Sequence, residues 1–152
     1  MAIELTDRSG VIWVSRDGIV WVESGTESGA AIEIRLYKAL VAHGALTAIV
    51  DDSIYPDRAR QGATLPSVVY FRVSGVRVAS LSGYSGLENP RFQFDVYSED
   101  VDDLADIHDA IIGALASATN FKAVPADSPW DDWDDDVGIY RRTFDVSIWN
   151  QE

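Results

Sequence analysis

Cysteine is absent from the 152 residues, which removes disulfides, thiolate nucleophiles and cysteine-ligated metals together. Histidine is scarce: only His43 and His108 occur, each in a helical stretch and neither in a paired-ligand pattern, so both read as structural. No apolar run reaches the ~18 residues that a membrane-crossing helix needs. The N-terminus, Met-Ala-Ile-Glu-Leu-Thr-Asp-Arg, lacks the basic and apolar regions of a secretion signal. The expectation is a soluble protein made in the cytoplasm, with no membrane partner. Positive charge is short as well: 12 Lys and Arg stand against 25 Asp and Glu, a formal net charge of -13. Nucleic-acid binding draws most of its affinity from basic side chains on phosphates, so sequence-reading DNA binding is not expected. An acidic surface either keeps a protein soluble or lines a passage that does not hold a moving duplex.

Catalytic patterns are missing too. Gly83-Tyr84-Ser85-Gly86-Leu87 resembles a nucleophile elbow only superficially, because that turn needs glycine where Leu87 stands. There is no Gly-Lys-Ser or Gly-Lys-Thr phosphate loop and no dinucleotide fingerprint. Asp132, Asp134 and Asp136 have the alternate spacing of a calcium loop, but the glycine comes one place late and position twelve is Thr143 instead of glutamate. No enzyme activity, cofactor or metal is expected.

What is present is a sheet. Arg91-Phe-Gln-Phe-Asp-Val-Tyr97 alternates strictly, with Phe92, Phe94 and Val96 on one side, as a strand with one buried face requires. Val68 to Val73 is β-branched and aromatic throughout and fits an inner strand covered on both faces. Between them Ser82, Gly83, Tyr84, Ser85, Gly86, Asn89 and Pro90 read as a polar connection. Upstream, Val11–Val14 and Ile19–Val22 flank Ser15-Arg16-Asp17-Gly18, a strong hairpin signal. That hairpin, with Trp13 and Trp21 on its arms, either covers its own domain or docks on a neighbouring subunit. Ser24 to Gly29 reads as a flexible linker.

Helical spacing then sets in with Ile32, Leu36, Ala39, Leu40 and His43; Ser28 is the N-cap candidate, Gly44 the stop, and Leu46–Val50 adds a further turn. Ile54-Tyr55-Pro56 is a brief extended segment, and Arg58–Thr64 an exposed loop. Ser98-Glu99-Asp100 opens a second helix with an apolar stripe of Val101, Leu104, Ile107, Ile111, Ile112 and Leu115. Phe121–Val124 reads as a short strand, Ala126–Asp136 as an acidic loop carrying Trp130 and Trp133, and Gly138–Trp149 as a closing strand. Those two tryptophans either serve an interface or fold back on the sheet. The fold class is α+β: a mostly antiparallel sheet with two helices packed on one face, plus an N-terminal β-hairpin. Residues 1–28 form the hairpin extension and linker, and 29–152 a single domain.

The helix bearing Leu36-Tyr37-Lys38-Ala39-Leu40, then Ile54-Tyr55-Pro56, then Gln61-Gly62-Ala63-Thr64-Leu65-Pro66-Ser67-Val68-Val69-Tyr70, resembles the start of the tailed-phage tail completion proteins long filed under the domain of unknown function 3168. Leu81-Ser82-Gly83, Arg91 to Tyr97, Leu104-Ala105-Asp106 and Tyr140 to Trp149 follow in the same order, so the resemblance runs from about Ile32 to the C-terminus, while Met1–Ser28 departs from it. It implies a tail terminator without enzymatic activity: a homohexameric ring at the head-proximal end of the virion's tail, assembled in the host cytoplasm. Its partners would be other copies of itself, the tail tube protein and a head-completion or connector protein, with DNA passing through the ring unread. A head-closure or other neck connector protein is the alternative within that class. A small-molecule or peptide-binding module using the tryptophan-bearing loop is the alternative outside it. Interface expectations fall on Trp13 and Trp21; on Arg58 and Arg60; on Arg77, Tyr84, Glu88 and Arg91; and on Trp130, Asp131, Asp132 and Trp133.

Overall fold

A computed structural model describes residues 31–151 in full and, of the N-terminal thirty, the strand backbones at 3–7, 10–14 and 20–24. Those three strands, β1 (Ile3–Asp7), β2 (Gly10–Val14) and β3 (Val20–Ser24), form an antiparallel sheet in that order. Trp13 and Trp21 are register partners across β2 and β3. The expected hairpin is therefore present, with one more strand before it; its Asp17-Gly18 turn, the linker beyond Ser24 and the Ser28 cap lie outside the described residues.

The remainder runs α1 (Ile32–Ala42), α2 (Gly44–Val50), β4 (Ile54–Pro56), β5 (Ser67–Ser80), β6 (Gly83–Ser98), α3 (Val101–Ala116), β7 (Lys122–Pro125), β8 (Trp130–Asp134) and β9 (Ile139–Gln151). Among the described residues the helices number three, because His43 takes an extended conformation and Leu46–Val50 falls in a separate helix, α2, instead of a further turn of the first. Six strands form one sheet in the order β4-β5-β6-β9-β7, with β8 also on β9; every pairing is antiparallel except β4 with β5. The outer edge of β9 is thus shared, β7 taking residues 146–149 and β8 residues 139–143.

The core lies between one sheet face and the helices. Tyr70, Phe92, Phe94, Val96, Phe144, Val146 and Ile148 from the sheet meet Leu36, Leu40, Leu46, Leu104, Ile107 and Ile111 from the helices, all buried. Phe94 is stacked between Tyr70 and Phe144, with ring centroids 5.7 and 5.3 Å away. α3 starts as its sequence requires: Asp100 Oδ1 accepts the Asp102 N–H at 3.0 Å, and Ser98 Oγ accepts the Asp100 N–H at 3.1 Å. Of its expected stripe only Val101 faces water, one residue into the helix where the core has not yet begun.

Arg35 is a buried charge of the fold, 4% exposed. Its guanidinium donates to the Asn120 carbonyl at 2.7 Å and to Asn150 Oδ1, tying α1 to the end of β9. Desolvation lowers its pKa, with Glu33 pulling the other way.

Candidate functional site: an arm and an acidic hairpin at opposite edges of the sheet

Two corrections to the sequence reading create the surfaces of interest. The polar connection after Val73 is not a loop: β5 and β6 stay paired to Ser80↔Gly83, so Ser82–Pro90 lies almost wholly in strand. Buried positions in β5 end at Tyr70, and from Arg72 to Ser80 the strand is almost entirely exposed. The hairpin therefore projects from the body as an arm, with Val73, Val76, Leu81 and Tyr84 facing water. Register shifts at Arg72/Ser74 and Arg77/Ala79 add twist along it.

Arg72 holds the base of the arm. It bonds Glu33 of α1 at 3.0 Å and Glu88 of β6. Burial lowers its pKa, but the two carboxylates outweigh burial and the net shift is upward. The guanidinium crosses Gly75, where any Cβ would overlap it. Glu88, expected at an interface, is turned inward by this pair and is 5% exposed. Arg77 lies over the Tyr84 ring, 5.5 Å from its centroid, so these two expected residues stand together on the arm. Arg91 sits nearer the body, bonded to Asp145 at 2.7 Å and paired with Asp127; the Asp145 hydrogen bond is the main reason its pKa is raised.

The second correction is the acidic loop, whose Trp130–Asp134 portion is strand β8, paired with β9 from Trp130↔Thr143 to Asp134↔Ile139. Gly138, at φ 68°, closes the turn and donates its N–H to the Asp134 carbonyl at 2.8 Å. Asp131 takes a two-pronged bond from Arg142 at 2.7 and 2.9 Å, which holds the Asp131 carboxyl below its ordinary range. Asp132 pairs with Arg141 at 3.1 Å. Trp133 packs on Tyr140 with centroids 4.4 Å apart, and Arg141 lies 5.3 Å from the Trp130 ring. Both tryptophans lean on β9 yet stay 52% and 44% exposed, so folding back and remaining available to a partner are not exclusive. Asp134 accepts the Asp136 N–H at 3.0 Å, so of the calcium-like spacing the Asp132 carboxylate is in an ion pair and the Asp134 carboxylate in a turn bond. Among the described residues no group of three or more metal-ligating side chains converges.

Arg58 and Arg60 lie on the exposed loop after β4, where residues 55–61 line a hollow. The expected residues thus fall into separate places: the N-terminal sheet, the loop after β4, the arm with its base, and the β8–β9 hairpin.

This arrangement, a mostly antiparallel sheet with helices on one face and a projecting arm, matches known proteins in kind. The family model described as tail completion protein gp17 matches residues 34–151. That span runs from within α1 to the last residue of β9, and the chain belongs to this family. A chain of the solved structure titled as the virion of a native gene transfer agent (GTA) particle shares the fold: TM-score 0.65 at 14% identity, covering 84% of this chain and 100% of that one. The search of curated proteins returned no match.

Proposed function

We propose that this protein is a tail terminator, without catalytic activity, that caps the head-proximal end of a phage or prophage tail tube, stops its growth and offers the surface on which the head is joined. The observation that carries this reading is the family match across the whole of the described α+β domain, residues 34–151. The fold shared with a chain of a gene transfer agent virion supports a place in a virion. Copies of the chain would form a ring, six by the resemblance, with the tail tube protein on one side and a head-completion or connector protein on the other. The N-terminal sheet, residues 1–28 with their linker, is an addition to this domain that serves contacts between copies or partners. Arg58, Arg60 and the surfaces of the arm and acidic hairpin supply further contacts.

The net charge of -13 supports a lumen lined with carboxylates, through which DNA passes without adhering. Purified protein mixed with isolated tail tubes and imaged by electron microscopy tests the reading: a ring seated on one end of each tube is expected. Binding along the sides of tubes, or only to portal-bearing heads, would contradict it.

A further inference from the structure

The sheet has two free edges of unlike charge. β5 is covered by β4 only at Val68–Tyr70, so among the described residues no strand pairs with its outer side from Phe71 to Ser80. That stretch, Phe-Arg-Val-Ser-Gly-Val-Arg-Val-Ala-Ser, has two arginines and no carboxylate. β8 pairs only with β9, so its outer side is likewise unpaired among the described residues, and its sequence is Trp-Asp-Asp-Trp-Asp. Exposed strand edges are templates for a further strand. The acidic run repels a second β8, whereas the carboxylate-free edge of β5 complements it. Arg77 has no carboxylate partner and Asp134 no cationic partner among the described residues, so one unspent charge stands on each edge.

Strand directions agree. β5, β6, β9 and β8 alternate without exception. β8 lies level with the Ser67 end of β5, since Trp130 sits opposite Thr143, Thr143 opposite Asp95 and Asp95 opposite Val69; a second copy with its helices on the same side, displaced along the strand direction as well as sideways, therefore brings its β5 arm antiparallel to β8. From Arg72 to Ser80 the arm is almost entirely exposed, and only its base is held to a helix, through Arg72 and Glu33.

We propose that neighbouring copies of this chain join edge to edge, the β5 arm edge of one copy adding antiparallel to β8 of the next, with Arg77 placed near Asp134. The contact is head to tail and repeats in one direction, which is the kind of interface that closes into a ring when the rotation allows. It extends the tail-terminator reading by naming the surfaces that build the ring, and so rests on it.

The natural absence of cysteine makes disulfide trapping direct. Full-length chains carrying one cysteine on the arm (Val73→Cys, Val76→Cys or Ala79→Cys) and one on β8 (Asp132→Cys or Asp134→Cys) are oxidised after assembly in solution or on tail tubes. At least one pair is expected to give covalent ladders that no single-cysteine variant gives. Arg77→Asp and Asp134→Arg are each expected to weaken self-association about tenfold, and the double exchange in one chain to restore it. Rings that form while no pair cross-links and the double exchange fails to rescue would overturn the edge contact and leave the terminator reading standing. Arm cysteines that trap each other, or that in a further variant trap a cysteine placed at Trp13 or Trp21 of a neighbour, would likewise overturn it in favour of those occupants. Absence of any ring from the wild-type protein, in solution and on tubes alike, would bring down both.

Discussion

Individual side chains set the stability of this domain in ways that single substitutions can read. Phe94 is fully buried between two rings, so Phe94→Ala removes both stacking partners and leaves a cavity; a loss of about 3–5 kcal/mol in urea unfolding is expected. Tyr70 behaves differently. Its hydroxyl is buried with no hydrogen-bond partner, and burial pushes its pKa up, so the phenol is a desolvated group without compensation. Tyr70→Phe is expected to be neutral or to stabilise by up to about 1 kcal/mol, and a clear loss would reveal a partner for that hydroxyl. Asp131 gives the pH response. Its folded-state pKa is depressed by Arg142, so its contribution is complete above the ordinary carboxylate range and is lost as pH falls through the lowered value. Carboxyl-carbon NMR should place its midpoint below the 3.8 of a free aspartate, and Arg142→Ala should return it upward. A wild-type midpoint at or above 3.8 would contradict the pairing.

At the scale of elements, the arm is separable from the body. Replacing residues 78–87 by Asn-Gly would close the hairpin on the Arg77↔Glu88 register pair with a two-residue turn while leaving every residue of the apolar core in place. The expected outcome is a folded domain, its thermal midpoint within a few degrees of wild type, that no longer self-associates; calorimetry and sedimentation check the two halves. Global unfolding would mean that the arm supports the core. What the sequence made legible and what it did not divide along the same line. Phe92, Phe94 and Val96 announced their strand, and the helical spacing of Leu104, Ile107 and Ile111 announced α3, because each pattern reflects burial against the core. The outer arm has no such burial, so its Ser, Gly, Asn and Pro residues carry turn propensity locally and become strand only through pairing across the hairpin. β8 was hidden for a related reason. Three signals for a solvated loop, Asp131, Asp132 and Asp134, were outweighed by Arg141 and Arg142 on the strand opposite, a pairing invisible in a local window. Glu88, expected at an interface, is buried instead, because Arg72, sixteen residues earlier, reaches back over Gly75 to pair with it, a contact that no local pattern carries.

For the whole molecule the governing facts are the acidic balance, the one-sided placement of helices and the two unlike sheet edges. A body with 25 acidic and 12 basic residues should leave duplex DNA alone. Fluorescence anisotropy at low salt is expected to show no association tighter than about 10⁻⁴ M, the weak end of non-specific binding; micromolar binding would contradict a passage that lets DNA move freely. The sheet order places the arm edge and β8 at opposite margins, so in the proposed ring one copy would engage two neighbours at once without using the helix face, leaving that face for the proposed tube or neck contacts. The most direct test of the central claim, that the protein terminates the tail, is electron microscopy of particles from the parent phage or prophage with this gene deleted. Full heads lying apart from tails of abnormal or uncontrolled length are the predicted result. Intact virions, or separated tails of normal and capped length, would contradict it.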